Sequence, residues 1–187
     1  MYELVGTLTG VAGVWLAARE NIWTWPIGLI SVAMAVIVFL KARLYADMGL
    51  NMFYAVTSIY GWHYWLHGGD EREELPVSHV SPKELGWLLL AGSGFTIGLG
   101  YLLENFTDAD LSYIDSATTG VSLIGYWLMA KKYIENWIVW IIVDSAYVGV
   151  YYYKGLYLFS GMFFLFLVLA AYGYLAWKKS LQQQLVT

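Results

Sequence analysis

Seven apolar stretches of about 18–24 residues divide this chain, and roughly 20 residues suffice to cross a bilayer as a helix. They run about Tyr2–Ala18, Trp23–Leu40, Tyr45–Leu66, Leu85–Leu103, Leu111–Ala130, Ile134–Tyr153 and Tyr157–Trp177. Only 13% of the 187 residues are charged, against about a quarter in a soluble domain. Inside hydrocarbon every backbone N–H and C=O must be satisfied within its own segment, so the chain is expected to be an all-α membrane protein with seven transmembrane helices. The N-terminus lacks a basic run before its apolar stretch, so the first segment is expected to stay as a helix and not be cleaved. There are no cysteines, hence no disulfide framework or thiol chemistry. Nothing in the charge pattern forms a basic patch for nucleic acid.

The two ends of the chain resemble one another at an offset of 112. Gly13, Trp15, Leu16 and Arg19 match Gly125, Trp127, Leu128 and Lys131. Leu44, Tyr45, Gly49, Tyr60, Gly61 and Trp65 match Leu156, Tyr157, Gly161, Tyr172, Gly173 and Trp177. Between them, Glu20-Asn21 and Trp25 match Glu135-Asn136 and Trp140 at an offset of 115, which implies three extra residues in the second hairpin. Helices 1–3 are therefore read as a duplicate of helices 5–7, with helix 4 joining them. One intervening helix makes the triplets parallel, a known transporter plan in which the ligand binds near mid-membrane between the repeats. The expected divisions are a first three-helix bundle at 1–67, a cytoplasmic loop and linker helix at 68–108, a second three-helix bundle at 109–179 and a tail at 180–187. The break His67–Lys83, with Gly68, Gly69, Pro76 and Pro82, reads as the linker.

Seven spans put the termini on opposite sides. Arg19, Arg72, Lys83, Lys131, Lys132, Lys178 and Lys179 fall on one side, and Lys41, Arg43 and Lys154 on the other. The excess of Lys and Arg indicates a cytoplasmic C-terminus and an external N-terminus.

One carboxylate stands inside an apolar helix. Asp144 shares a helical face with Trp137 and Trp140 by i, i+3, i+7 spacing. A charge at mid-membrane costs roughly 3 kcal/mol or more, and no Lys or Arg lies within a helix to offset it, so Asp144 is expected to face a cavity. Indole faces beside a carboxylate form a slot for a flat, cationic molecule. Asn51, Tyr54 and Ser58 continue a polar stripe begun by Asp47 on helix 3, and Asp115, Thr118 and Ser122 share a face of helix 5. These are further candidates, with interhelical hydrogen bonding as the plainer role. His63 and His67 are spaced to chelate a metal, but no third ligand is evident, so no metal is expected. No cofactor is implied. A retinal receptor would need a lysine deep in helix 7, where none precedes Lys178, and no clear catalytic set suggests a membrane enzyme.

The run Tyr60-Gly61-Trp62-His63-Tyr64-Trp65, the segment Lys132-Tyr133-Ile134-Glu135-Asn136-Trp137 and the pattern Trp137-x-x-Trp140-x-x-x-Asp144 resemble the Pnu vitamin transporters. These comprise nicotinamide riboside facilitators with thiamine and riboflavin relatives. The resemblance implies two three-helix bundles joined by a linker helix (3+1+3), a SWEET-like fold, facilitated diffusion by alternating access, intracellular trapping by phosphorylation, an inner-membrane location and a homotrimer. Many nicotinamide riboside members carry Asn where this chain has Asp144, and Gln where it has Asn51. With the thiazolium's fixed charge, these departures point to thiamine, with nicotinamide riboside as the alternative.

Overall fold

The computed structural model describes residues 2–42, 45–69, 74–106 and 112–184. Among them are α1 (Tyr2–Ala18), α2 (Thr24–Ala42), α3 (Tyr45–His67), α4 (Pro82–Phe106), α5 (Ser112–Ala130), α6 (Glu135–Tyr153) and α7 (Tyr157–Gln184). Arg43 and Arg72 of the charge count, and the side chain of Asp47, lie outside what is described. Helix α4 starts three residues earlier than the apolar pattern suggests. Ser81 caps it, its Oγ accepting the Glu84 N–H at 3.2 Å, and Pro82 fills the first helical position, where a missing N–H costs nothing. Helix α7 runs seven residues past Trp177 to Gln184, because nothing in Lys178–Gln184 breaks a helix.

Three helices, α2, α4 and α7, are long and apolar enough to cross a membrane on composition alone. The sequence assigns a span to all seven. Helix α1 has only 17 residues, and α3, α5 and α6 are diluted by polar side chains. Many of those are turned inward: Thr57 and Ser58, then Ser112, Ser116, Thr118 and Ser122, then Asn136 and Asp144 are all buried. An apolar average thus understates these helices, because their polar atoms face protein.

Helix α1 packs on α2 and α2 on α3; α5 packs on α6 and α6 on α7. The α1–α7 and α3–α5 contacts close these six helices into a ring, and α4 lies against α5. Exchanging α1, α2, α3 with α5, α6, α7 maps this set of ring contacts onto itself.

The repeat extends through the hairpins without an insertion, which corrects the offset of 115. Glu20 and Lys132 both adopt left-handed backbone, with φ of 55° and 57°. The bonds Glu20 N to Ala17 O and Asn21 N to Leu16 O recur as Lys132 N to Met129 O and Tyr133 N to Leu128 O. The indole N–H of Trp65 donates to Met129 O at 3.1 Å, and that of Trp177 to Ala17 O at 2.9 Å. Trp25 meets Trp65 edge-on at 5.3 Å, as Trp137 meets Trp177 at 5.4 Å. Trp25 is therefore the counterpart of Trp137, not of Trp140. The matching Glu-Asn pairs misled because their identity outweighs Ile22/Ile134 and Trp25/Trp137, which hold the true register.

These four tryptophans, with Ala17, Ala18, Ala130, Ile134 and Ala170, form the main buried core at the hairpin end. The break after α3 is not a loose linker where it is described. Leu75 and Val77 are buried in that core. Ser78 forms a parallel bridge with Tyr133, through Ser78 N to Lys132 O and Ile134 N to Ser78 O. Glu135 accepts from the Val80 N–H at 3.1 Å and pairs with His79 at 2.7 Å. The Tyr133 phenol is pushed up to about 12, first by burial and then by the Glu84 carboxylate that accepts its hydrogen bond at 3.0 Å. This segment straps α4 to the α5–α6 hairpin.

Candidate ligand cavity

Between the two halves of the ring lies a cavity of about 250 Å³. Gly10, Gly13, Val14 and Ala17 of α1 and Thr24, Gly28, Ser31 and Val32 of α2 form one wall. The opposite wall carries Tyr126 and Met129 of α5, Trp137, Trp140 and Asp144 of α6, and Phe163, Phe166 and Ala170 of α7. One wall is small and nearly featureless. The other is aromatic with a single acid.

Asp144 is the middle residue of α6 and only 5% exposed. Among the described residues its carboxylate has no hydrogen-bond or ion-pair partner. A buried unpaired polar group costs on the order of 1–3 kcal/mol, more when charged. That cost is consistent with a side chain held ready for something that enters. Trp137 is fully buried, with its ring laid on Gly173: a Cβ there would come within 2.7 Å of three indole atoms. Its Nε1–H has no acceptor among the described residues, so a second polar group is unsatisfied beside the cavity. Trp140 is half-buried and rests against Gly125, at 3.4 Å from where a Cβ would stand.

The three α6 residues singled out by spacing thus converge on one cavity. The other candidates do not reach it. Ser58 is buried and donates to Tyr54 O at 2.7 Å. Its oxygen also lies 2.8 Å from the Tyr126 hydroxyl, which must then be the donor. The Tyr54 ring packs on Tyr126 at 4.7 Å. Ser58 and Tyr54 therefore stand behind the cavity wall and orient Tyr126. Asn51 is half-buried on α3 and outside the wall. Ser122 is buried and donates back to Thr118 O at 2.7 Å, a bond within its own helix. Asp115 is exposed in the first turn of α5. Helical spacing shows which residues share a face but not what that face meets, and α3 turns Tyr54 and Ser58 toward Tyr126 of α5 instead of into the cavity.

Sequence reasoning passed over Tyr126, Phe163, Phe166 and Gly28. The first three are indistinguishable from lipid-facing aromatics in a chain with 16 tyrosines and 8 phenylalanines. Gly28 had a signal: pairing Trp25 with Trp137 at the single offset of 112 aligns it with Trp140.

A second depression of about 390 Å³ lies at the hairpin end, among Arg19, Glu20, Asn21, Trp65, Glu74 and Lys132. Two of its charges, Glu20 and Lys132, already pair with one another. Lys132 Nζ sits 3.2 Å from Glu20, donates to Leu75 O at 2.8 Å and lies over the Trp65 ring. That depression holds a structural tie, whereas the inner cavity holds an acid without a counter-ion. Among the described residues no cluster of three metal-ligating side chains forms.

A family model described as nicotinamide mononucleotide transporter matches residues 1–179. The nicotinamide riboside transporter PnuC of Escherichia coli is 27% identical, the match covering 97% of this chain and 87% of that protein. The riboflavin/roseoflavin transporter RibM of Streptomyces davaonensis is 25% identical over 85% of this chain and 75% of its own length. A crystal structure of the vitamin B3 transporter PnuC superposes with a TM-score of 0.73 at 25% identity, covering 97% of this chain and 82% of that one.

Proposed function

The chain belongs to the nicotinamide mononucleotide transporter family, and from that premise we propose that it carries a flat, cationic vitamin, nicotinamide riboside first, across the membrane. The observation that carries this reading is Asp144, buried without a partner on the wall of an inner cavity and flanked by Trp137 and Trp140. A carboxylate satisfied only when a cation arrives provides binding energy, and indole faces add cation–π attraction. The volume of about 250 Å³ falls just below the roughly 300–1,000 Å³ usual for ligand sites, which suits a single ring with a sugar better than the three fused rings of riboflavin.

Nicotinamide riboside takes precedence over thiamine, the ligand favoured from the sequence. The relatives described above are named for nicotinamide riboside, vitamin B3 and riboflavin or roseoflavin. Thiamine is the second reading, on the one observation that the acid facing the cavity suits a thiazolium equally well.

In the proposed mechanism α1–α3 and α5–α7 are two three-helix halves joined by α4. They rock about the cavity and open it to one side and then the other. The C-terminus is cytoplasmic, downstream phosphorylation of the vitamin drives net uptake, and copies associate as trimers through their exposed apolar faces.

The test is titration of purified protein with nicotinamide riboside, thiamine and riboflavin, following tryptophan fluorescence, then uptake by liposomes. Saturable quenching by nicotinamide riboside with uptake is expected. A response to thiamine alone would reverse the order of the two readings. Saturable binding of none of the three would refute the vitamin reading.

A further inference from the structure

The repeat makes the two walls of the cavity comparable residue by residue, and they differ most at one pair. Position 28 on α2 corresponds to position 140 on α6. The correspondence is physical as well as numerical. In the second half, Val139 and Trp140 both pack on Gly125 of α5, at 2.8 and 3.4 Å from where its Cβ would lie. In the first half, the counterpart of Gly125 is Gly13 of α1, and what faces it is the backbone of Gly28, 3.8 Å from where a Gly13 Cβ would lie. An indole in one half is thus replaced by no side chain in the other. A Cβ built on Gly28 meets nothing within 4 Å, and Gly28 lines the cavity, so the space it leaves belongs to the cavity. Position 32, the counterpart of the unpartnered and buried Asp144, is Val.

We propose that Gly28 is the specificity-determining position of the ligand site. It reserves the width that lets a flat cationic ring lie against Trp140 and Asp144 while a hydroxylated sugar on that ring passes along α2. This rests on the vitamin reading above and adds to it the residue that sets how large a ligand enters. A Cβ at 28 meets no protein atom within 4 Å, so a methyl there acts on the ligand and not on the fold. Asp144, 5% exposed, lines the same space as Gly28.

Wild type, Gly28→Ala, Gly28→Leu and the control Gly98→Leu are titrated with nicotinamide riboside and with 1-methylnicotinamide, which has the same cationic ring without the sugar. Gly98 also faces open space, but on the exposed side of α4. Thermal unfolding reports folding of each variant. Nicotinamide riboside affinity is expected to fall about tenfold in Gly28→Ala and about 100-fold or more in Gly28→Leu, the scale of one to several overpacked carbons. Binding of 1-methylnicotinamide to Gly28→Ala changes by less than about threefold, because one methyl is small against the space left by the missing sugar. Gly98→Leu matches wild type. Nicotinamide riboside affinity unchanged in folded Gly28→Leu, or an equal loss of both ligands in Gly28→Ala, overturns the assignment. If Gly28→Leu does not fold, Gly28→Ala decides by the same comparison. If wild type binds only thiamine or riboflavin, the substrate reading fails separately, and loss of that ligand in Gly28→Leu supports the assignment while its retention overturns it. A wild type that binds no vitamin overturns both.

Discussion

Replacing Asp144 by Asn should move binding and stability in opposite directions. The amide keeps the shape of the carboxyl and removes its charge. Asp144 is 5% exposed and has no partner among the described residues, so in the empty protein its charge is a cost. A charged side chain at the centre of a spanning helix costs roughly 3 kcal/mol or more, a figure reduced here by whatever water fills the cavity. The Asp144→Asn variant, empty, should therefore be as stable as wild type or more so. Binding of a cation behaves oppositely, because a hydrogen bond to a charged group contributes about 1.5–3 kcal/mol. At about 1.4 kcal/mol per factor of ten, the dissociation constant for nicotinamide riboside should rise about 10- to 150-fold. Neutral riboflavin, if it binds, should be little affected. Tryptophan fluorescence titration measures the first quantity and a thermal unfolding scan in the same detergent the second. Unchanged affinity in a folded variant would remove Asp144 from the site. A clear loss of stability would refute the reasoning from the other side, by showing that the carboxylate supports the fold.

The paired glycines under the two core tryptophans separate site from scaffold. Gly173→Ala would put a Cβ 2.7 Å from the Trp137 ring, and Gly61→Ala one 2.5 Å from Trp25. Each should cost about 1–3 kcal/mol of stability, read as a lower unfolding temperature. Only Gly173→Ala should also weaken the vitamin, because Trp137 lines the cavity and Trp25 does not. Glu20→Gln removes the only ionic partner of buried Lys132 among the described residues, across an interface between the two halves. Breaking a buried pair costs up to about 3–5 kcal/mol, and Glu20 is a quarter exposed, so about 1–3 kcal/mol is expected by chemical unfolding. An effect below a few tenths of a kcal/mol would show that the pair is solvated.

Much of this architecture was legible from the chain alone. Hydrocarbon forces each apolar stretch into a helix, so length and apolarity locate the seven segments to within a few residues in most cases. Periodicity put Trp137, Trp140 and Asp144 on one face, and the absence of any intramembrane cation implied a cavity beside the acid. What a helical face meets is a different matter, because it depends on rotation of one helix against another. Helix α3 turns Ser58 onto Tyr126 instead of onto the cavity. Asp115, which shares the spacing of the α5 stripe, ends up exposed. The break after α3 looked like a linker because Gly and Pro punctuate it, yet Leu75 and Val77 join the buried core and Ser78 bridges Tyr133, 55 positions away. The repeat itself was visible, but its register through the hairpins was not. Two left-handed residues and matched tryptophan bonds decide that register, and they exist only once the halves are folded against each other. Sequence thus determined which segments form the seven helices and which one carries the acid. Packing alone decided that Trp140 of one half and Gly28 of the other line a single cavity, because the width of a cavity is a distance between helices and not a property of any one of them.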